Sequence, residues 1–155
     1  MEITYRRARA DDLTTIVGLW DNMCRTEENC GEDEYDEILA ASEEALSNPD
    51  KALFLAFEGG KAVGYSHAII RREWFFEQGE GGQFGFLDTI YVRPGYRRKG
   101  VAQKLVAMCE DWAREKNCAE FASTCDLDNE GSYKFHTGIG FKEMHRIIHF
   151  TKSLR

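Results

Sequence analysis

A mixed α/β domain, one layer of β-sheet covered by helices, is the fold class this sequence predicts, and three observations predict it. Strand-like and helix-period runs follow one another in the order β-α-α-β-β-β-α-β-α-β. Two adjacent apolar runs are joined by Glu58-Gly59-Gly60-Lys61, a hairpin turn signal. At 155 residues, with 43% hydrophobic and 30% charged side chains, the chain has the length and balance of one globular domain, residues 1–155.

Each element has its own warrant. Residues 2–8 carry β-branched and aromatic side chains suited to a strand. Asp11 or Asp12 then caps a helix in which Leu13, Ile16, Val17 and Trp20 recur at helical spacing. Residues 33–47 read as a second helix with Ile38, Ala41, Ala45 and Leu46 inward, stopped by Asn48-Pro49. Residues 52–57 and 62–70 are the hairpin strands. The stretch 71–83 is a polar, Gly-rich loop whose Trp74, Phe75 and Phe76 suit a ligand wall or a contact between copies. Residues 84–92 form a fourth strand ended by Arg93-Pro94-Gly95, and 100–116 an amphipathic helix with Val101, Leu105, Met108 and Trp112 in its stripe. A strand at 119–125, a short helix at 129–139 and a last alternating strand at 141–151 complete the chain.

Composition excludes several classes. No apolar stretch is long enough to span a bilayer, and the start, Met1 to Arg6, has no apolar signal core, so a cytoplasmic protein is expected. Five cysteines with no CxxC pair point to a reduced chain with idle thiols. A net charge of −7 disfavours nucleic acid as a partner. Ten acids and no Lys or Arg lie between Glu27 and Asp50, whereas five bases and no acid lie between Arg93 and Lys104. Each run alone reads as a solvated face; together they suit a molecule that brings a cation and a polyanion together. His145 and His149, with Cys125, form no tight zinc-type ligand pair, so no metal is expected.

The run Val92 to Ala102 passes from a strand through a tight basic loop into a helix. Unsatisfied N–H groups at a helix start carry roughly +0.5 charge and capture phosphate, with Arg or Lys adding charge-assisted bonds. The GxxxxGK[ST] and GxGxxG patterns are both absent, which disfavours triphosphate and dinucleotide chemistry. Arg97-x-x-Gly100-x-Ala102 in this setting resembles the acetyl-CoA diphosphate loop of the GNAT superfamily of N-acetyltransferases. Phe86 to Val92 is similar to its pantetheine-binding strand, and Asn129 and Gly140-Phe141 stand at the spacing of its later motif. Within that superfamily the chain resembles the short, dimeric aminoglycoside 6′-N-acetyltransferases, through Phe86-Leu87-Asp88, Glu120-Phe121-Ala122-Ser123, Ser132…His136 and Gly140-Phe141 followed by Arg146.

The resemblance implies a GNAT fold, a mostly antiparallel sheet splayed at the cofactor strand, and transfer of an acetyl group from acetyl-CoA to a primary amine. An aminoglycoside 6′-amine leads; another amine, or a CoA-binding sensor without turnover, are the alternatives. It implies cofactor contacts at Ile90, Tyr91, Val92, Arg97, Arg98, Lys99, Gly100, Val101, Ala102, Asn129 and Ser132, and a homodimer. An alkyl amine, with a pKa near ~10, arrives as ammonium and needs a carboxylate to hold it and take its proton. Asp88, an acid inside an apolar strand, is the candidate, with a backbone N–H freed by a bulge, Ile90 by preference, facing the thioester oxygen. His136 or Tyr133 protonates the thiolate. On the acceptor side stand Trp20, Trp74, Asp88, Thr124 and His145. The last two align with acids of the aminoglycoside branch but are not anionic here, while Asp126, Asp128 and Glu143 lie nearby in sequence.

Overall fold

The computed structural model describes residues 2–26, 35–72 and 82–155. The chain divides into two compact units, Met1–Ser123 and Thr124–Arg155. The first contains β1 (Ile3–Arg7), α1 (Leu13–Thr26), α2 (Tyr35–Ser47), β2 (Lys51–Glu58), β3 (Lys61–Arg71), β4 (Phe84–Val92), α3 (Val101–Glu115) and β5 (Phe121–Ala122). The second contains α4 (Glu130–Gly138).

The five strands lie in chain order in one sheet, antiparallel except for the parallel pair β4–β5. The β2–β3 hairpin closes through Gly59 (φ 55°) and Gly60 (φ 81°), the two left-handed residues that a tight turn matching strand twist requires. Alternation then sends Leu53, Leu55, Tyr65 and Tyr91 to one face, where they pack with Ile16 and Leu19 of α1 and Ala45 of α2. Ser66 faces the other way, its hydroxyl donating to the Leu105 carbonyl of α3 (3.3 Å). Burial of such side chains stabilises by roughly 1.5–3 kcal/mol each, and this double-sided core fixes the register of β3 and β4.

Several expectations need correction. Asp12 does not cap α1: it ends a 3-10 turn (Ala10–Asp12), accepts the Arg9 amide (2.7 Å) and takes a two-pronged bond from Arg6 (2.7 and 2.8 Å). On α2 Ser42 is buried and Ala41 exposed, and on α3 Cys109 takes the core place expected of half-buried Met108, because the stripe follows 3.6 residues per turn. The strand expected at 119–125 shrinks to two residues, paired Gly85↔Phe121 and Phe86↔Ala122. Beyond that point the outer edge of β4 has no strand partner among the described residues, and the sheet opens there. The expected strand at 141–151 does not form; alternation names a face but cannot supply the neighbouring backbone that a strand must bond. Ile148 (78% exposed) and Phe150 (91%) stand in the open. Cys24 is disulfide-bonded, against the expectation of an all-thiol chain, whereas Cys109, Cys118 and Cys125 are free.

Candidate active site

The basic loop leaves β4 through a 3-10 turn (Pro94–Tyr96) and enters α3 at Gly100, which has φ 78° and no side-chain cap. Only glycine adopts that conformation without strain, and a Cβ built there meets no atom within 4 Å, so the backbone is open to a bulky group. The helix's first bond runs from the Lys104 amide to the Gly100 carbonyl (3.0 Å), so the amides of Val101 to Gln103 have no intrahelical acceptor. Arg97 Nε donates to the Val92 carbonyl (2.8 Å), tying the loop to the end of β4. Arg97, Arg98 and Lys99 are exposed. An open glycine, helix-start amides and three exposed cations fit a diphosphate.

β4 carries Asp88, the candidate carboxylate. Its pairing with β3 slips between His67 and Ala68: His67 faces Thr89, Ala68 faces Leu87, and Asp88 is the extra residue. The bulge anticipated near Ile90 is thus at Asp88, while Ile90 keeps regular register opposite Ser66. The Asp88 side chain is 35% exposed, and its Oδ2 lies 3.3 Å from His67 Nδ1 and accepts from Thr89 Oγ1 (3.2 Å). His67, with the Thr89 bond and the Arg71 charge adding to it, holds the Asp88 carboxyl below the ordinary carboxylate range against the opposing effect of burial. Tyr91 turns into the core and donates its hydroxyl to Asn22 Oδ1 of α1; Val92 is buried and Ile90 half-buried, so their backbone is what they offer outward.

Trp20 is half-buried on α1, and its indole N–H is buried without an acceptor among the described residues. Trp74, with Phe75 and Phe76, lies outside the described residues, as do the acids Glu27, Glu28, Glu32, Asp33 and Glu34 of the acidic run. Two acids of that run are spent on cations of the same fold: Glu44 on Lys51 (2.6 Å) and Asp50 on Arg72 (2.7 Å).

In the second unit Asn129 caps α4, its side chain accepting from the Ser132 amide (3.0 Å). That is the ordinary work of an Asn at this place, and it occupies the side-chain oxygen. His136 Nδ1 sits 2.7 Å from the Ser132 carbonyl, which only accepts, so Nδ1 carries a proton. The ring is flanked edge-on by Phe135 and Phe141. Tyr133 donates to Glu143 (2.9 Å), an arrangement that raises the phenol's pKa and makes it a poorer acid. Glu143 is itself paired with Arg146 (2.5 Å). Thr124 and His145 are exposed. Among the described residues no cluster of three His, Cys, Asp or Glu is placed to hold a metal ion.

His67 is the residue that sequence reasoning missed. The criterion that singled out Asp88, an ionisable side chain inside an apolar strand, applies equally to His67 in the run Ala62 to Ile70.

A model of the acetyltransferase (GNAT) family matches residues 16–141. An aminoglycoside N(6′)-acetyltransferase type 1 of Salmonella typhimurium is 36% identical over 117 residues, which are 76% of this chain and 80% of that protein. One from Klebsiella aerogenes is 34% identical over 143 residues, 92% and 88% of the two chains. The solved structure of AAC(6′)-Iy with the bisubstrate analogue CoA-S-monomethyl-acetylneamine superimposes with a TM-score of 0.87 at 31% identity, covering 99% of each chain.

Proposed function

The chain belongs to the acetyltransferase (GNAT) family, and we propose that it moves the acetyl group of acetyl-CoA onto the 6′-amine of an aminoglycoside. The names of the Salmonella and Klebsiella relatives and the bisubstrate complex of AAC(6′)-Iy support this acceptor. The observation that carries the reading is Asp88: a bulged, partly exposed carboxylate on the strand that runs into the anion-binding loop. When bound, acetyl-CoA supplies the activated acyl group. The amides around Gly100, with Arg97, Arg98 and Lys99, hold its diphosphate. The edge of β4 that no strand among the described residues pairs offers backbone groups to its pantetheine arm as an added strand would. Asp88 holds the acceptor's ammonium and takes its proton, leaving a nucleophilic lone pair. His136 serves the departing sulfur in preference to Tyr133, whose hydroxyl is engaged by Glu143.

The enzyme works as a homodimer in the cytoplasm. Exposed Ile147, Ile148 and Phe150 support the first, as an apolar stretch without cover in one copy. The free thiols of Cys109, Cys118 and Cys125 fit a reducing compartment, whereas the disulfide at Cys24 does not. A specific observation favours a second reading, acetylation of another amine, a polyamine or a peptide amine: Thr124 and His145 bring no carboxylate to the acceptor. Thiol release from acetyl-CoA, measured with aminoglycosides carrying a 6′-amine, with analogues bearing a 6′-hydroxyl and with linear polyamines, decides between them. Turnover confined to the 6′-amino compounds is expected. Equal turnover with polyamines moves the acceptor to that class, and tight CoA binding with no thiol release from any amine leaves a sensor.

A further inference from the structure

We propose that His67 is a positioning residue for Asp88, donating its Nδ1–H to Oδ2 so that Oδ1 alone is presented to the acceptor's ammonium. The inference rests on the reading of Asp88 as the group that holds the amine. His67 is 8% exposed, in the middle of β3, where an imidazole is costly without a polar partner. Its two ring nitrogens differ sharply. Nδ1 lies 3.3 Å from Asp88 Oδ2, while Nε2 is buried with no partner among the described residues.

A carboxylate only accepts, so the proton of this contact belongs to Nδ1. That tautomer leaves a lone pair at Nε2, whereas the alternative would bury an N–H with no acceptor. Thr89, brought opposite His67 by the bulge, donates to the same oxygen (3.2 Å). Oδ2 is therefore engaged twice. Oδ1 has no side-chain partner among the described residues, and the carboxylate is a third exposed. Proton transfer then balances simply: an N–H bond of the ammonium breaks, an O–H bond forms at Oδ1, and the amine keeps the electron pair. His67 does not receive that proton. A separation of 3.3 Å is at the long end for a hydrogen bond and shortens when a cation draws the carboxylate into line.

The groups facing the pair come from three elements. Arg71 on β3 and Thr89 on β4 act on Asp88, and Glu44 on α2 lies within electrostatic reach of His67, itself bonded to Lys51 of β2 and to Asn48.

The test compares His67→Leu, which removes the donor, with His67→Asn, whose amide nitrogen falls where Nδ1 stands, and with His67→Gln, whose amide reaches towards the place of Nε2. kcat, the KM for acetyl-CoA and the pH dependence of kcat/KM are read for each, with Asp88→Asn as reference. His67→Leu and His67→Gln are expected to lower kcat about tenfold, a fraction of what a general base contributes. The KM for acetyl-CoA stays within about twofold. The acid limb of kcat/KM moves to higher pH, because the contact that keeps Asp88 ionised is gone, and His67→Asn recovers most of both effects. Wild-type kcat and an unmoved acid limb in His67→Leu overturn the proposal. So does an equal fall in all three variants with the limb unmoved, which is the signature of packing. If Asp88→Asn itself turns over normally, it is the reading of Asp88 that fails.

Discussion

Of the carboxylates that a neighbouring base holds below their ordinary range, Asp12 and Asp88 are the ones set most deeply in the fold, and they differ in their surroundings. Asp12 is bound by both prongs of Arg6 and by the Arg9 amide, and its side chain is only 10% exposed. The Arg6 bond is the main cause of its lowered pKa. A depressed folded-state pKa contributes stability that is present above the unfolded value, about 3.9, and is lost as pH falls through the folded one. Replacing Asp12 by Asn is therefore expected to cost about 2 kcal/mol at pH 7, the worth of a charge-assisted bond, and to flatten the acid side of the stability curve. Urea denaturation at pH 7 and below pH 4 checks both; a variant as stable as the wild type at pH 7 would contradict the account. Asp88 meets its base across strands instead, and a third of its side chain is exposed. Asp88 stood out in the sequence as an acid inside an apolar strand, whereas Asp12, read with Asp11 as a helix cap, turns out to bind Arg6 and the Arg9 amide; neither partner was legible. Arg6 on β1 precedes Asp12 of the 3-10 turn by six residues and His67 on β3 precedes Asp88 on β4 by twenty-one, spacings that only the folded backbone brings together.

At the level of single elements, turns and stops set by adjacent residues were legible, whereas which residues of a helix stripe face the core was legible only in part. The glycine pair that turns β2 into β3, the Asn48-Pro49 stop after α2 and the strand-loop-helix run ending in α3 are all set by residues within a few positions of one another. β5 and the last segment were misjudged because pairing length depends on the neighbouring strand, which lies elsewhere in the chain. The loop before α3 makes a prediction of its own. Gly100 at φ 78° meets no atom that a methyl group would strike, so Gly100→Ala costs stability only through backbone strain, about 1–2 kcal/mol. If the amides there grip a diphosphate, the relaxed loop re-aims them, and the Kd for CoA rises about tenfold. Isothermal titration beside a thermal melt separates the two effects. A lowered Tm with an unchanged Kd would mean that the loop is structural and the diphosphate is held elsewhere.

On the scale of the molecule, family membership was foreseeable from Arg97-x-x-Gly100-x-Ala102, the strand residues 86–92, Asn129 and Gly140-Phe141. The fate of the C-terminal segment was not, because alternation specifies a buried face without saying which chain buries it. Exposed Ile148 and Phe150 lead to the expectation of a dimer in sedimentation equilibrium, converted to monomer by Phe150→Asp with Ile148→Asp; a wild-type monomer at micromolar concentration would end that proposal. If the proposed function holds, the loop before α3 binds the cofactor's diphosphate and Asp88 on the preceding strand serves the amine. The most direct test is Asp88→Asn, with kcat for acetyl transfer and the Kd for CoA measured on the same preparation. A fall in kcat of about a hundredfold or more with CoA affinity within about twofold is expected, as when a general base is removed and the cofactor site is left alone. Equal losses in both, or none in kcat, would contradict that reading.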